Sequence, residues 1–532
     1  VGSGNYRLVD AMVREGIAYY GVRHEANAVG MASGYERVSG RLAACTVHQG
    51  PGFTNTLTSL ADAVRARSPL LLLAAAAEST ALYHNQRIDQ AGLAALVGAA
   101  VEQLRDRTVG EDLARAVHRA KVERRPVVLS LPTDWQEREL PEPGGPPRLP
   151  WSGRPTWVPA APQIEQAVEL ICASSRPVVL AGRGAVRGEA PRALRRLGDC
   201  IGALFVSSAP AKGVFDGSPY DLGVAGGLAP REAAALVGEA DLILAFGASL
   251  NFWTTRRRRL FSPQARVVHV DDDPRGMGLQ LPVDLALVGD VAATALALAE
   301  ELERRGYRSG GFRQWLSLQH RELTAGSGHA FAAPAPLQGS TPGTVDPRGL
   351  AEWLDRVLPP ERTVVVDAGH FMAFPVLHMR APAGGFVPVW DFQAVGIGLG
   401  VAMGAAVGCR QRLTVLAVGD GGLWMNLGDL ETVARYRIPL LVVVFDDAAF
   451  GAEVHHFRHE GVRLDFARFP DRDLAQLARA VGGQGHTVRQ PEDLESSPLR
   501  RWLANPEGLF LLDCKVDPSV QAEFLQEAFL PE

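Results

Sequence analysis

Two apolar runs in the last third of the chain end in acid. Leu413 to Val418 runs into Gly419-Asp420-Gly421, and Leu440 to Phe445 runs into Asp446-Asp447, with a helix-like stretch between them. Strand, helix and strand in that order form the unit of a parallel sheet. This order puts Asp420 and Asp447 at the carboxyl ends of neighbouring strands, the edge at which open α/β sheets bind ligands. Carboxylate oxygens suit a hard divalent cation such as Mg²⁺. Gly419, Gly421 and Gly422 let main chain approach a phosphate, and the amides entering the next helix through Leu423 face it. The segment is a candidate cradle for a metal-bound diphosphate, with Asp420, Asp447 and the Ala449 carbonyl as metal ligands.

The same alternation of short apolar strands and amphipathic helices runs through all 532 residues. Strands are expected at Leu42–Val47, Leu70–Ala76 and Val127–Leu131, then at Pro177–Ala181, Leu204–Ser207, Leu242–Phe246 and Val267–Val270. The last set is Thr363–Val366, Thr414–Val418, Leu440–Phe445 and Leu509–Asp513. Proline-dense 140–162 and small, polar 324–347 cannot continue a helix or a central strand, so they divide the chain into domains at about 1–140, 160–323 and 345–532. The fold class is α/β, three domains each built on a mostly parallel sheet flanked by helices. A net charge of −5 argues against a nucleic-acid partner, and no apolar run approaches the ~20 residues of a membrane span. Cys45, Cys172, Cys200, Cys409 and Cys514 have neither paired nor metal-type spacing and are expected to be buried thiols of a cytoplasmic protein.

Gly-Asp-Gly followed at this distance by an acidic pair resembles the thiamine diphosphate signature of the acetolactate synthase, pyruvate decarboxylase and benzoylformate decarboxylase superfamily, where the pair is usually Asn-Asn. The segment from Gly21 to Ala75, with Arg23-His24-Glu25, Gly50-Pro51-Gly52, Ala61-Asp62-Ala63 and Ser68-Pro69-Leu70, resembles the same family along its first domain. The resemblance implies a pyrimidine-binding, a central and a diphosphate-binding domain. It also implies thiamine diphosphate with Mg²⁺, and a homodimer or homotetramer with active sites at the subunit interface. On it, Glu25 shares a proton with N1′ of the aminopyrimidine, so that the 4′-nitrogen takes the C2 proton; such a carboxyl needs a desolvated setting. Gly50, Pro51 and Gly52 meet the cofactor across the dimer. Gln393 offers its carbonyl to the 4′-amino group, Val395 is the wedge under the bent cofactor, and Gly369 and His370 lie near the diphosphate. Family members usually carry a further strand before a loop like Gly2-Ser3-Gly4-Asn5, so the first strand is expected to be absent here.

Glu453, six residues past Asp447, takes the place of a decarboxylase carboxylate facing the reacting carbon. Gln86 stands at the position of a synthase pocket glutamine, and His48 and His84 are candidate acid/base or hydrogen-bonding groups beside it. Ser3 replaces an aspartate of plain pyruvate decarboxylases. His455-His456 is assigned to the pocket rim or surface. In the middle segment Gly247–Trp253 departs from the loop of flavin-binding synthases, so FAD is disfavoured, and Arg256–Arg259 is taken as a solvated face. The expected activity is cleavage or formation of a C–C bond beside a carbonyl, most directly 2-oxo acid decarboxylation with or without carboligation on a small-molecule carbonyl substrate. C–C hydrolase, acyl-CoA lyase and a catalytically silent cofactor-binding homologue are the alternatives.

Overall fold

In a computed structural model, which describes residues 1–105, 108–139, 156–316 and 335–525, three parallel sheets form in succession. The first holds β1 (Ala43–Val47), β2 (Leu70–Ala76), β3 (Ala100–Gln103) and β4 (Val127–Pro132) in the order β1-β2-β4-β3. The second holds β5 (Pro177–Ala181), β6 (Leu204–Ser207), β7 (Asp221–Val224), β8 (Leu242–Phe246), β9 (Arg266–Asp271) and β10 (Leu285–Val288), ordered β10-β9-β8-β5-β6-β7. The third holds β11 (Arg362–Asp367), β12 (Phe386–Val389), β13 (Leu413–Gly419), β14 (Leu440–Asp446), β15 (Gln484–Val488) and β16 (Leu509–Lys515), ordered β12-β11-β13-β14-β16-β15. Apolar clusters cover both faces of each sheet, which is why the central strands are continuous runs of Val and Leu.

Every expected strand forms, within two residues of its expected ends. Five strands form that the sequence does not announce, β3, β7, β10, β12 and β15, and each of these lies at the edge of its sheet. An edge strand pairs on one side only and is short: β12 is buried throughout but only four residues long with a proline among them, while β10 and β15 expose Ala286 and Gln484. The two dividing segments fall partly outside the described residues, at 140–155 and 324–334. Among the cysteines only Cys200 and Cys514 are buried; Cys172 is exposed, because it ends a helix on the outer surface of the middle sheet, and all five thiols are free.

Order doubles back in the third sheet. From β11 the chain goes out to the edge at β12 and returns across β11 to β13, so the loops leaving β11 and β13 part and open a crevice. The first domain is docked beside this crevice by a pair of parallel helices, Glu25–Ser39 and Gly398–Gly408, whose backbones touch through glycine. A Cβ on Gly34 would lie 2.0 Å from the Val401 carbonyl oxygen, and one on Gly404 would lie 1.9 Å from that of Met31. Gly30 approaches Gly400 in the same way. Buried Asp429 then fastens the start of the first helix, accepting from the Arg23 amide at 2.7 Å, the His24 amide at 3.2 Å and Asn27 Nδ2 at 2.6 Å.

Gly404→Ala inserts a methyl group where no space exists and should destabilise the protein by about 1–3 kcal/mol, the range for overpacking a core. Denaturant unfolding measures it. A Gly188→Ala control, in open surface with φ of +59°, should cost only the strain of its own backbone and leave helix docking intact.

Candidate active site

A cavity of about 280 Å³ lies over the carboxyl ends of β11, β13 and β14. Asp420, Asp447, Ala449, Glu453, Gly369 and His370 line it, together with Val395, Gly419, Gly421 and Gly422. Leu423 is buried in the adjoining core and outside this lining, and Gln393 lines a different cavity. Glu25, His48, Gly50, Pro51, Gly52, His84 and Gln86 form a second group, in the first domain, that contributes nothing to the cavity of the same chain.

Register explains the carboxylates. Gly419 pairs with Phe445, so Asp420 and Asp447 leave adjacent strands one residue out of step at the same edge. Burial drives the Asp420 carboxyl up to about 9, with the neighbouring charges of Asp446 and Asp447 adding to it, and Asp447 is pushed to about 7 by burial and then by Asp446. Asp420 Oδ1 is buried with no hydrogen-bond partner. Two carboxyls held together out of water, one with an orphaned oxygen, fit a divalent cation. No group of three or more His, Cys, Asp or Glu arranged for a metal occurs among the described residues. A cation here would complete its shell from the Ala449 carbonyl and phosphate oxygens.

Asp446 has a different task. It pairs in register with Lys515 on β16, and Lys515 Nζ lies 2.6 Å from Asp446 Oδ2, 3.0 Å from Asp513 and 3.0 Å from Asp471. Burial disfavours the ammonium, but its carboxylate partners outweigh this and hold the Lys515 pKa above its ordinary value. The acid at the first position of the pair is thus neutralised inside the fold. Lys515 lies at the carboxyl end of the neighbouring strand, β16.

Asp367, at the end of β11, holds the opposite wall. Its buried carboxylate accepts from the Gly396 and Gly398 amides at 2.8 and 3.1 Å, tying the turn that carries Val395 to the sheet. Within that turn Gln393 takes a left-handed backbone, φ 57°, costly for a residue with a side chain and found where surroundings hold it for a purpose. The cradle glycines are also demanded by packing, since a Cβ on Gly421 would lie 2.7 Å from the Phe450 ring and one on Gly422 2.7 Å from Asp367 Oδ2. His370 is buried with Nε2 accepting from the Ala522 amide at 2.9 Å, and its ring lies 4.4 Å from that of His455. Burial above all keeps both neutral, His370 at about 3 and His455 at about 4. The rim or surface place expected for His455 is corrected by this, because the last turn of helix Gly451–Phe457 buries that residue against His370, beneath the cavity. Glu453, in the first turn of the same helix, is exposed at the cavity mouth.

In the first domain Glu25 opens its helix half-buried, with Oε2 taking a hydrogen bond from Asn55 Nδ2 at 2.9 Å. Gly52 lies against it, where a Cβ would meet Glu25 Oε1 at 3.4 Å and His48 Cβ at 3.1 Å. Ala26, Val29 and Met31 follow the helix into the core while Glu25 faces Asn55. His84 Nδ1 accepts from the Gln86 amide at 3.1 Å, so that nitrogen serves its own loop.

A larger cavity, about 1030 Å³, lies between the middle sheet and the other two domains, lined by Arg37, Arg65, Arg67, Arg183, Arg187 and Gln393 among others. Arg37 Nη1 and Arg183 Nη1 are buried without partners, and Asp391 lies 3.8 and 3.4 Å from their guanidinium groups.

Three family models match in order along the chain: the N-terminal thiamine pyrophosphate binding domain at residues 1–93, the thiamine pyrophosphate enzyme central domain at 164–298, and the C-terminal thiamine pyrophosphate binding domain at 367–514. A Pseudomonas aeruginosa protein named "Probable 2-ketoarginine decarboxylase AruI" is 31% identical over 507 residues, covering 90% of this chain and 84% of that one. This chain belongs to the thiamine diphosphate-dependent enzyme superfamily. An acetolactate synthase of Mycobacterium avium is 29% identical over 499 residues, 89% of this chain and 77% of the relative. The solved thiamine diphosphate-dependent 4-hydroxybenzoylformate decarboxylase of Rhodococcus jostii RHA1 shares the fold, with a TM-score of 0.81, 20% identity, and coverage of 97% and 95% of the two chains. Among the described residues no helix is long and apolar enough to cross a membrane.

The raised carboxyls of this thiamine diphosphate-dependent enzyme predict a pH response. A carboxyl whose folded pKa lies above its unfolded value favours the fold below about pH 4, and that contribution is lost as pH rises through the folded value. The metal-free protein should therefore lose stability between pH 5 and 9 as Asp447 and then Asp420 ionise. Mg²⁺ with thiamine diphosphate should cancel the loss, so the gap in melting temperature between loaded and metal-free protein should widen by roughly 3 °C or more across that range. Differential scanning fluorimetry reads it. Buried Asp367, also near 7, slopes the same way, and Asp420→Asn isolates the cradle by flattening its share.

Proposed function

We propose that the chain is a thiamine diphosphate- and Mg²⁺-dependent enzyme that decarboxylates 2-oxo acids and either protonates the remaining fragment or passes it to a carbonyl acceptor. The observation that carries this reading is the pair Asp420 and Asp447, desolvated in one cavity with an orphaned oxygen and with Glu453 at its mouth. When bound, the cofactor serves as electron sink for the carbon whose bond breaks. Asp420, Asp447 and the Ala449 carbonyl hold Mg²⁺. Gly369, His370, Gly419, Gly421, Gly422 and the Leu423 amide surround the diphosphate. Gln393 offers its left-handed carbonyl, and Val395 supports the bend. Glu25 keeps a proton at the aminopyrimidine N1′, and Glu453 delivers one to the reacting fragment. FAD has no part in this reading, since Gly247–Trp253 departs from the flavin pattern.

A second copy of the chain completes each site. The Glu25 group and the metal cradle of one chain do not share a cavity, and the surface around the Glu25 group is apolar: Leu82, Tyr83 and Leu96 are 99, 83 and 84% exposed. Phe392, Trp424 and Met425, near the cradle, are exposed as well. Two-fold pairing covers both surfaces and brings Glu25 to the partner's cradle, a self-complementary interface; a tetramer is a pair of such dimers.

Release of CO₂ from a panel including pyruvate, 2-oxobutyrate and benzoylformate, with thiamine diphosphate and Mg²⁺ present, tests the activity; no CO₂ from any of them sinks it. Glu25→Gln should lower turnover by ~10² to 10⁴-fold, the range for a positioned proton-transfer group, and Asp420→Ala should abolish Mg²⁺-dependent cofactor binding in fluorescence titrations. Mixed under conditions of subunit exchange, these two inactive variants should regain part of the activity, because half the hybrid sites are intact.

Glu453→Gln should change the fate of the substrate fragment more than CO₂ release. With its proton donor gone, the fragment should go to carbonyl acceptors in preference to aldehyde. Product analysis by gas chromatography checks this, and an unchanged ratio at full rate removes Glu453 from the site.

A further inference from the structure

The N-terminal loop, His48 and Gln86 form a hydrogen-bond chain whose direction is set at one end. The Gly4 amide donates to His48 Nδ1 at 3.1 Å. A backbone N–H only donates, so Nδ1 must carry the lone pair and the imidazole proton must sit on Nε2. His48 Nε2 lies 3.2 Å from Gln86 Oε1. That contact therefore runs from Nε2–H to the amide oxygen, which fixes the flip of the Gln86 side chain. Its –NH₂ is then turned away from His48, and no protein acceptor stands against it among the described residues.

The anchor is rigid. Asn5 is fully buried, accepts from the Gly2 amide at 2.9 Å and donates to Thr46 Oγ1 at 3.1 Å. Gln136 Nε2 holds the Gly4 carbonyl at 2.8 Å. No side chain fits at Gly4, where a Cβ would fall 1.7 Å from Gln49 Oε1. The far end of the chain belongs to the Glu25 group. His48 Cβ and Glu25 Oε1 both border Gly52, and Gln86 borders Gly50, whose φ is +61° and whose absent Cβ would lie 2.9 Å from Gln86 Cβ.

We infer that His48 is a positioning residue and not an acid/base, and that through it the Gly4 amide commits Gln86 to present an N–H donor to the carboxylate or carbonyl oxygen of a 2-oxo acid. The inference rests on the proposed 2-oxo acid reaction for the substrate, and on geometry alone for the clamp. A donor that cannot reverse selects ligands carrying acceptor oxygen. It binds the substrate anion and takes no proton from it.

Three variants separate the roles. In His48→Gln the side-chain amide nitrogen can stand where imidazole Nε2 stands, so a donor to Gln86 remains, while the imidazole and its acceptor for the Gly4 amide are lost. With whichever of pyruvate, 2-oxobutyrate and benzoylformate the wild type decarboxylates fastest, His48→Gln should recover part of the kcat/KM that His48→Ala loses, with an unaltered pH profile. His48→Ala should raise KM by roughly 10- to 100-fold, the range for losing a hydrogen bond to a charged group, with kcat changed far less. Gly4→Ala, which keeps both side chains but brings a Cβ to 1.7 Å from Gln49 Oε1 and 2.9 Å from His48 Nδ1, displaces the amide donor and should raise KM in the same direction. Equal collapse of kcat in His48→Gln and His48→Ala, with loss of an inflection in the pH profile, would overturn the inference in favour of proton transfer by His48.

Should the wild type act on none of the three acids, the proposed reaction fails while the clamp is still measurable. Nitrogen-15 spectra of histidine-labelled protein, assigned by the His48→Gln spectrum, should place the His48 proton on Nε2, and Gly4→Ala should mix the tautomers. A proton on Nδ1 in the wild type overturns the clamp itself.

Discussion

The contact between helices Glu25–Ser39 and Gly398–Gly408 decides where everything else stands. Their backbones meet at a distance that only glycine allows, at Gly30, Gly34, Gly400 and Gly404. Close packing at that distance leaves little freedom to slide or roll, because any rotation drives main chain into main chain. Asp429 adds direction, accepting the free amides at the start of the first helix and so setting the height of Glu25, the first residue of that helix, relative to the third sheet. The place of Glu25 is thus determined by the backbone of one domain and the buried carboxylate of another.

Within the third sheet the fold manages an excess of negative charge in two ways. Asp446 is paired with a lysine inside the protein, at a cost in desolvation that its two further carboxylate neighbours help to offset. Asp420 and Asp447 are left without a cation partner and are driven toward protonation. A ligand that brings positive charge gains from both. The difference between the two adjacent acids is positional: Asp446 ends β14 opposite Lys515, while Asp447 has passed the last pairing and turns into the cavity.

Legibility followed burial. Central strands such as Leu70–Ala76 and Leu440–Asp446 are buried along their length, so the whole run had to be apolar and the sequence displayed it. The five edge strands are four or five residues long, too short for their residues to be told from turns or helix ends. Gly419, Asp420 and Asp447 were readable for a related reason: strand ends in a parallel sheet are marked by the switch from apolar run to glycine and acid. The pairing of Asp446 with Lys515, the fold-back of His455 beneath the cavity and the clamp on Gln86 were not readable, since each joins residues 38 to 85 positions apart or depends on which nitrogen of a ring meets a backbone amide.

By itself the sequence determined the class of fold and the acidic strand ends that line the cavity, because hydrophobic periodicity and residue chemistry are properties of residue types in short spans. Tertiary structure alone decided the electrostatics and the assembly of the site. Carboxyls become cation-seeking only when burial removes water from them, and only packing decides that Glu25 stands apart from the cavity of its own chain. Burial and relative position are set by the whole chain, and no short stretch of it carries them.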